Sequence, residues 1–209
     1  VTPRIRGLYA ITPDIADTAE LLAKVEAALA GGARCLQYRN KAAGPSLRFA
    51  QARALLALCR DYQIPLIIND DLALATGLNA DGLHLGAEDG SLAAARSRLG
   101  PDKVLGASCY NRIENAVAAA RDGADYIALG SFFTSGVKPG AVRAPIGLLQ
   151  EAKRRVALPQ VAIGGITLDN APQLVAAGAD SVAVITALFG AVDIRAAASA
   201  FSALFSQSC

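Results

Sequence analysis

The stretch Asp122–Gly130, "DGADYIALG", decides the fold. It follows an Ala-rich segment, and Gly123 suits the left-handed position that closes a helix. The residues after it, "YIALG", are apolar, partly β-branched and of strand length. The same phrase returns as "GGARCLQYR" from Gly31, "NADGLHLG" from Asn79 and "AGADSVAVI" from Ala177. Between these copies lie four more apolar runs: "GLYAIT" from Gly7, "PLIIND" from Pro65, "KVLGASC" from Lys103 and "PQVAIGGI" from Pro159. Eight strands are therefore expected.

Ala-rich segments with helical periodicity separate the strands, among them Thr18–Ala30, Leu47–Tyr62, Ile113–Arg121 and Ile146–Val156. Strands alternating with helices imply a parallel sheet with right-handed crossovers. The runs are nearly continuous in apolar residues, as strands buried on both faces are. Eight such units in 209 residues predict an α/β chain folded as a compact (β/α)8 barrel. An open doubly wound sheet is the competing architecture. The barrel is preferred because the repeat continues to the C-terminus without a break. No low-complexity linker divides the chain, so residues 1–209 are expected to form one barrel domain. The one long polar connection, "FFTSGVKPGAVRAP" from Phe132, reads as an active-site loop.

Composition narrows the function. Hydrophobic residues make up 53% of the chain and the formal charge is +2, without a basic run. A nucleic-acid-binding tract is therefore not expected. Uncharged stretches such as Ser181–Val192 fall well short of the roughly 18 apolar residues that span a bilayer. Arg4 and Arg6 lead into strand-like residues and then Pro13 and Asp14, which is unlike a signal peptide. The four cysteines are widely spaced, without a CxxC pair or a Cys/His cluster. Reduced thiols in a cytoplasmic enzyme are expected rather than disulfides or a zinc site. His84 is the sole histidine, which excludes any mechanism that uses two.

Catalytic groups of such barrels come from the C-terminal ends of strands, and unusual polar residues gather there. Thr12 ends the first strand. Gln37, Arg39, Asn40 and Lys41 end the second, Asn69 and Asp70 the third. The fourth carries His84, then Glu88 and Asp89. Ser108 ends the fifth, the sixth leads to Ser135 and Lys138, Gly164 and Gly165 end the seventh, and Thr186 follows the eighth. Starts of the even-numbered strands hold mostly Gly, Ala and Asp in turn positions. Asp70 and Asp89 would face one mouth from neighbouring strands. Two carboxylates together with substrate phosphates are how magnesium is usually held, and Arg39 and Lys138 on the same rim suit a phosphorylated or diphosphate substrate. Asp70 and Asp89 also have a plainer reading as helix caps, Asp89 for a helix from Ser91. Asp71 is expected to cap the helix that starts near Leu72. His84 alternates with Leu83 and Leu85 and reads as a barrel-interior residue. Gly164 and Gly165 could offer backbone N–H groups to a phosphate.

In order along nearly the whole chain, "LYAIT", "QYRNK", "IIND", "ADGLHLGAED", "GAS", "GADYIALGSFF", "VK", "AIGGI" and "SVAVITALF" resemble the thiamine phosphate synthase family. That resemblance implies a (β/α)8 barrel. It implies condensation of hydroxymethylpyrimidine diphosphate with thiazole phosphate to thiamine phosphate and pyrophosphate, with Mg2+. It also implies roles. Gln37, Arg39, Lys41, Asn69, Ser108 and Lys138 would hold the pyrimidine diphosphate, and Asp70 and Asp89 the metal. Ser135, Gly165, Ile185 and Thr186 would line the thiazole-phosphate site. Two positions depart from the family pattern: Val137 replaces a hydroxyl residue, and Thr186 stands where serine is common. Other readings are a thiazole tautomerase-like isomerase, a different sugar- or indole-phosphate barrel, and a non-catalytic barrel that binds thiamine precursors. The tautomerase would use an acid–base histidine near the end of the fifth strand, where this chain has Cys109 and Tyr110.

Overall fold

The computed structural model describes residues 5–134 and 142–206. Its eight strands are β1 (Gly7–Ile11), β2 (Cys35–Tyr38), β3 (Leu66–Asn69), β4 (Gly82–Leu85), β5 (Val104–Tyr110), β6 (Tyr126–Gly130), β7 (Gln160–Ile163) and β8 (Ser181–Val184). They pair in parallel and in chain order, and β8 returns to β1 with Leu8 opposite Val182. The sheet is thus a closed barrel. The helices are α1 (Thr18–Ala30), α2 (Pro45–Asp61), α3 (Leu72–Gly77), α4 (Leu92–Leu99), α5 (Ile113–Arg121), α6 (Gly147–Arg155), α7 (Ala171–Ala176), α8 (Thr186–Phe189) and α9 (Ile194–Ala203). α2 starts two residues before the expected Leu47, because Pro45 fits the first helical position, where no N–H is used.

The repeated phrase is a helix stop joined to a strand start. At Gly32, Asn79, Gly123 and Gly178 the backbone is left-handed. At each, the next residue, an alanine, donates its N–H five residues back, as Ala124 does to Ala119 at 2.9 Å. The left-handed residue itself donates three residues back, as Gly123 does to Ala120, and this pair of bonds satisfies carbonyls that the helix end leaves open. Those alanines, Ala33, Ala80, Ala124 and Ala179, are buried. In three copies the following residue is aspartate, and its carboxylate accepts the N–H near the start of the preceding strand. Asp81 holds Leu66 N–H at 2.9 Å, Asp125 holds Leu105 N–H at 2.7 Å and Asp180 holds Gln160 N–H at 2.8 Å. The "Ala-Asp" of the phrase therefore locks neighbouring strands in register at the base of the barrel.

Two apolar shells surround the sheet. The outer shell packs strand residues such as Leu8, Leu36, Ile68 and Leu105 against Leu21, Leu55 and Leu149 of the helices. Burying each such side chain contributes about 1.5–3 kcal/mol. The inner shell fills the barrel with Tyr9, Ile67, Val104, Tyr126 and Val161. Gly106 makes room for it: a Cβ there would lie 2.0 Å from Cζ of the Tyr126 ring. The filled interior puts any cavity at one end, above the C-terminal ends of the strands.

Candidate active site

A cavity of about 510 Å³ opens at that end. One side is built from Gln37–Lys41. Alternation along β2 sends Gln37 into the barrel and Tyr38 out toward α2, where its hydroxyl donates to Gln51 at 2.8 Å. Beyond the strand, Thr12 clamps the backbone of Arg39, accepting its N–H at 2.9 Å and donating to its carbonyl at 2.8 Å. Asn40 is buried and pins the turn through Ile15 O and Gln51. Asp14 accepts from the Lys41 N–H and from the Arg39 guanidinium, at 2.9 and 3.2 Å. Arg39 and Lys41 are thereby presented to the cavity, both on its lining. Asn40 serves the fold.

Asn69, Asp70 and Asp71 then divide their duties. Asp71 accepts the Leu74 N–H at 2.9 Å and caps α3, as expected from its spacing. Asp70 lies on the cavity wall, with Asn69 donating to it at 2.6 Å and the Lys41 ammonium 3.4 Å away. Asp89 shares that wall. Its carboxylate accepts the Gly86 N–H at 3.0 Å, and α4 is capped by Ser91 instead, so the capping alternative for Asp89 is set aside. Burial and the adjacent Asp89 raise the Asp70 carboxyl above its ordinary value, while Lys41 pulls it back. Among the described residues, two interacting carboxylates with one lysine paired to Asp70 form a site short of positive charge. Among the described residues no group of three or more His, Cys, Asp or Glu could hold a metal alone. A pair of carboxylates completed by substrate oxygens suits magnesium, which is bound through one or two carboxylates and phosphates; the donor set fits that ion.

Beneath this wall runs a chain of hydroxyls that the sequence reading did not identify. Gln37 Nε2 donates to the Tyr9 hydroxyl at 3.0 Å, and Tyr9 and Tyr126 hydroxyls are 2.8 Å apart. Tyr126 meets His84 Nδ1 at 2.9 Å, and His84 Nε2 meets Ser108 Oγ at 2.8 Å. Burial lowers the imidazole to about 4, so it is neutral near pH 7. A neutral ring has one N–H, so its two hydrogen bonds must run in one consistent direction. Tyr9 and Tyr126 could have been noticed as the polar tips of inward positions in "GLYAI" and "YIALG". Nothing local marks them as partners.

Among the described residues, the opposite side of the cavity is uncharged and formed by the ends of β7 and β8. Gly164, Gly165, Ile185 and Thr186 line it. The Gly165 carbonyl accepts from Asn170 at 3.0 Å, which folds the "GGITLDN" turn back on itself. Both glycines press on the end of β6: a Cβ on Gly165 would lie 2.3 Å from the Thr134 carbonyl. Of the remaining expected site residues, Ser135 and Lys138 lie outside the described residues, as does Val137.

Comparison with known proteins identifies the family. Residues 8–188 match the family model described as thiamine monophosphate synthase. The thiamine-phosphate synthase of Methylobacillus flagellatus is 59% identical over 203 residues, 97% of each chain. That of an Azoarcus species is 55% identical over 97% of this chain and 98% of its own. Among solved structures, a thiamine phosphate pyrophosphorylase from Pyrococcus furiosus superposes with a TM-score of 0.86 at 33% identity, covering 96% of both chains. A family match over most of the chain, with relatives above half identity across nearly their full length, leaves one conclusion: the chain belongs to the thiamine monophosphate synthase family of (β/α)8-barrel transferases.

Proposed function

We propose that the barrel condenses hydroxymethylpyrimidine diphosphate with thiazole phosphate and releases pyrophosphate, with the whole chain acting as one barrel domain. One observation carries the reading. Among the described residues, one cavity has a charged side, with Arg39, Lys41, Asp70 and Asp89, and an uncharged glycine-rich side formed by the ends of β7 and β8. Two phosphorylated substrates of different charge would each find a matching wall.

On the charged side, Arg39 and Lys41 bind the diphosphate and take up the charge that grows on it as the methylene C–O bond breaks. Fixed donors placed where charge develops are an effective form of transition-state stabilisation. Magnesium held by Asp70 and Asp89 would add neutralisation of that same leaving group. Gln37, Asn69 and Ser108 hold and orient the pyrimidine end. Its amino group stabilises the carbocation left behind, and the thiazole nitrogen then forms the new C–N bond with its own lone pair. Gly165, Ile185 and Thr186 seat the thiazole phosphate. Family resemblance adds Lys138 to the diphosphate site and Ser135 to the thiazole-phosphate site. No protein nucleophile is required. His84 is buried with both ring nitrogens engaged, and Tyr110 occupies the end of β5, so the site does not favour a tautomerase. Among the described residues no helix is long and apolar enough to cross a membrane, and Cys35, Cys59 and Cys109 are free, buried thiols. Those thiols accord with a reducing compartment, and the cytoplasm is the proposed location.

The test is turnover of both substrates across a magnesium titration, in wild type and in the Asp70→Asn and Asp89→Asn variants. Thiamine phosphate and pyrophosphate should appear in equal amounts. Each variant should lower the maximal rate and raise the magnesium concentration for half-maximal rate, and the double variant should be less than additive, because both act through one ion. Absence of the condensation, or variants with unchanged magnesium dependence, would refute the assignment.

A further inference from the structure

Among the described residues, four other than glycine hold a left-handed backbone: Gln63, Asp70, Asn79 and Tyr110. Gln63 and Asn79 lie at the base, just beyond α2 and α3, where this conformation is a common way to end a helix. Asp70 and Tyr110 lie at the mouth. A short polar aspartate tolerates the left-handed region, whereas a bulky aromatic residue there is a true outlier. Such strain collects at functional positions when the surroundings enforce it.

What enforces it at Tyr110, with φ 54°, is a bulge. β5 pairs Ser108 with Ala128, but the next pairing is Tyr110 with Leu129, leaving Cys109 as an extra residue. Bulges re-aim side chains. Here Cys109 stays buried and Tyr110 swings over the cavity, where it is 41% exposed and part of the lining. Its hydroxyl oxygen lies 3.5 Å from the point a Cβ would occupy on Gly86, and Asp89 Oδ2 lies 2.4 Å from the same point. The phenol therefore hangs near Asp89, one of the two carboxylates. Asp89 Oδ2 accepts the Gly86 N–H, and among the described residues the Tyr110 hydroxyl has no hydrogen-bond partner, so its proton is open to an incoming oxygen.

We propose that Tyr110 is an anion-contact residue of the charged side, its hydroxyl donating to a pyrophosphate oxygen of the substrate's diphosphate and of the released product. This rests on the diphosphate reading above. The experiment is calorimetric titration of inorganic pyrophosphate into protein with saturating Mg2+, together with Mn2+ binding alone followed by electron paramagnetic resonance. Wild type is compared with Tyr110→Phe, Tyr110→Asn and Arg39→Ala. Tyr110→Phe should weaken pyrophosphate binding by roughly tenfold, the loss of one charge-assisted donor. Its Mn2+ affinity and thermal midpoint should stay those of wild type. Tyr110→Asn should lose as much affinity and gain thermal stability, because asparagine tolerates the left-handed backbone. If Tyr110→Phe binds pyrophosphate like wild type while Arg39→Ala does not, Tyr110 is no part of the site and the diphosphate reading survives. An equal loss of Mn2+ affinity in Tyr110→Phe would also overturn the proposal, since the hydroxyl would then act through Asp89. If wild type itself fails to bind pyrophosphate, both readings fall.

Discussion

The base and the mouth of the barrel use the same residue for opposite ends. At the base, Asp81, Asp125 and Asp180 each accept a strand N–H, and two are also paired with cations. Asp125 meets Arg96, which spreads its remaining donors over the carbonyls of Gly100, Lys103 and Gly123, and Asp180 meets Lys153. At the mouth, Asp70 and Asp89 stand side by side, and among the described residues Lys41 is the one cation paired with Asp70. A carboxylate with its acceptor capacity used by backbone and guanidinium stabilises the fold. Paired with another carboxylate and left open to a cavity, it costs stability and keeps that capacity for a ligand. A residue's role in this barrel follows from what its neighbours have already satisfied.

A mouth cation with a purely structural role would contradict this contrast between the two ends. Arg39→Ala is expected to slow turnover by on the order of 10²–10³, the usual cost of one lost charge-stabilising donor. Its unfolding midpoint should move little, since the ion pair it loses among the described residues is with Asp14, whose carboxylate is open to solvent. Steady-state kinetics beside thermal melts decide it, and unchanged kinetics would remove Arg39 from the site.

His84, in the layer between the two ends, offers a pH test. Its folded-state value is depressed from 6.5 to about 4, because burial disfavours the charged ring. The neutral ring's stabilisation is present in full above pH 6.5 and is lost as pH falls toward 4. That loss amounts to roughly 3 kcal/mol if this group acts alone. The chain has one histidine, so a single imidazole resonance reports on it by NMR. Titration near 6.5 in the folded protein would show an open ring and undo the sealed hydroxyl chain.

Asp125→Ala should be the most damaging change at the base. It orphans the Leu105 N–H and removes the anion beside a partly buried Arg96. About 2–3 kcal/mol of stability should go, read as a lower urea midpoint. Activity per folded molecule should stay within about twofold of wild type.

The smallest effect sharpens the comparison most. The raised Asp70 carboxyl means that ionising it favours unfolding, a cost present once pH exceeds its folded value. Asp70→Asn should therefore melt about 1–2 °C higher than wild type at pH 7 without metal, while it loses turnover. Asp71→Asn should change neither, because asparagine caps a helix as well as aspartate. Stability lost in Asp70→Asn would place that residue with the base aspartates.

Much of the site was legible because its signals are local. Asp71 caps α3 through a residue three positions away, and Gln37, Arg39, Lys41, Asp70, Asp89 and Ser108 follow apolar runs whose ends can be counted. The base aspartates were visible only as turn residues, since the strand N–H each one holds lies 15 or 20 residues away. Asp89 could equally have capped a helix until Ser91 was seen to do so.

The sequence alone determined the alternation of strand and helix, the left-handed helix ends before four of the strands, and the gathering of polar residues at one rim. Each of these depends on propensities and hydrogen bonds that span a few residues. Tertiary structure decided the rest. Closing β8 onto β1 brought Tyr9 to Tyr126, 117 residues away, and so built the chain from Gln37 to Ser108. A bulge in β5, visible only against β6, turned Tyr110 over the mouth. No local pattern encodes these contacts, because they form only when strands distant in sequence share one closed sheet.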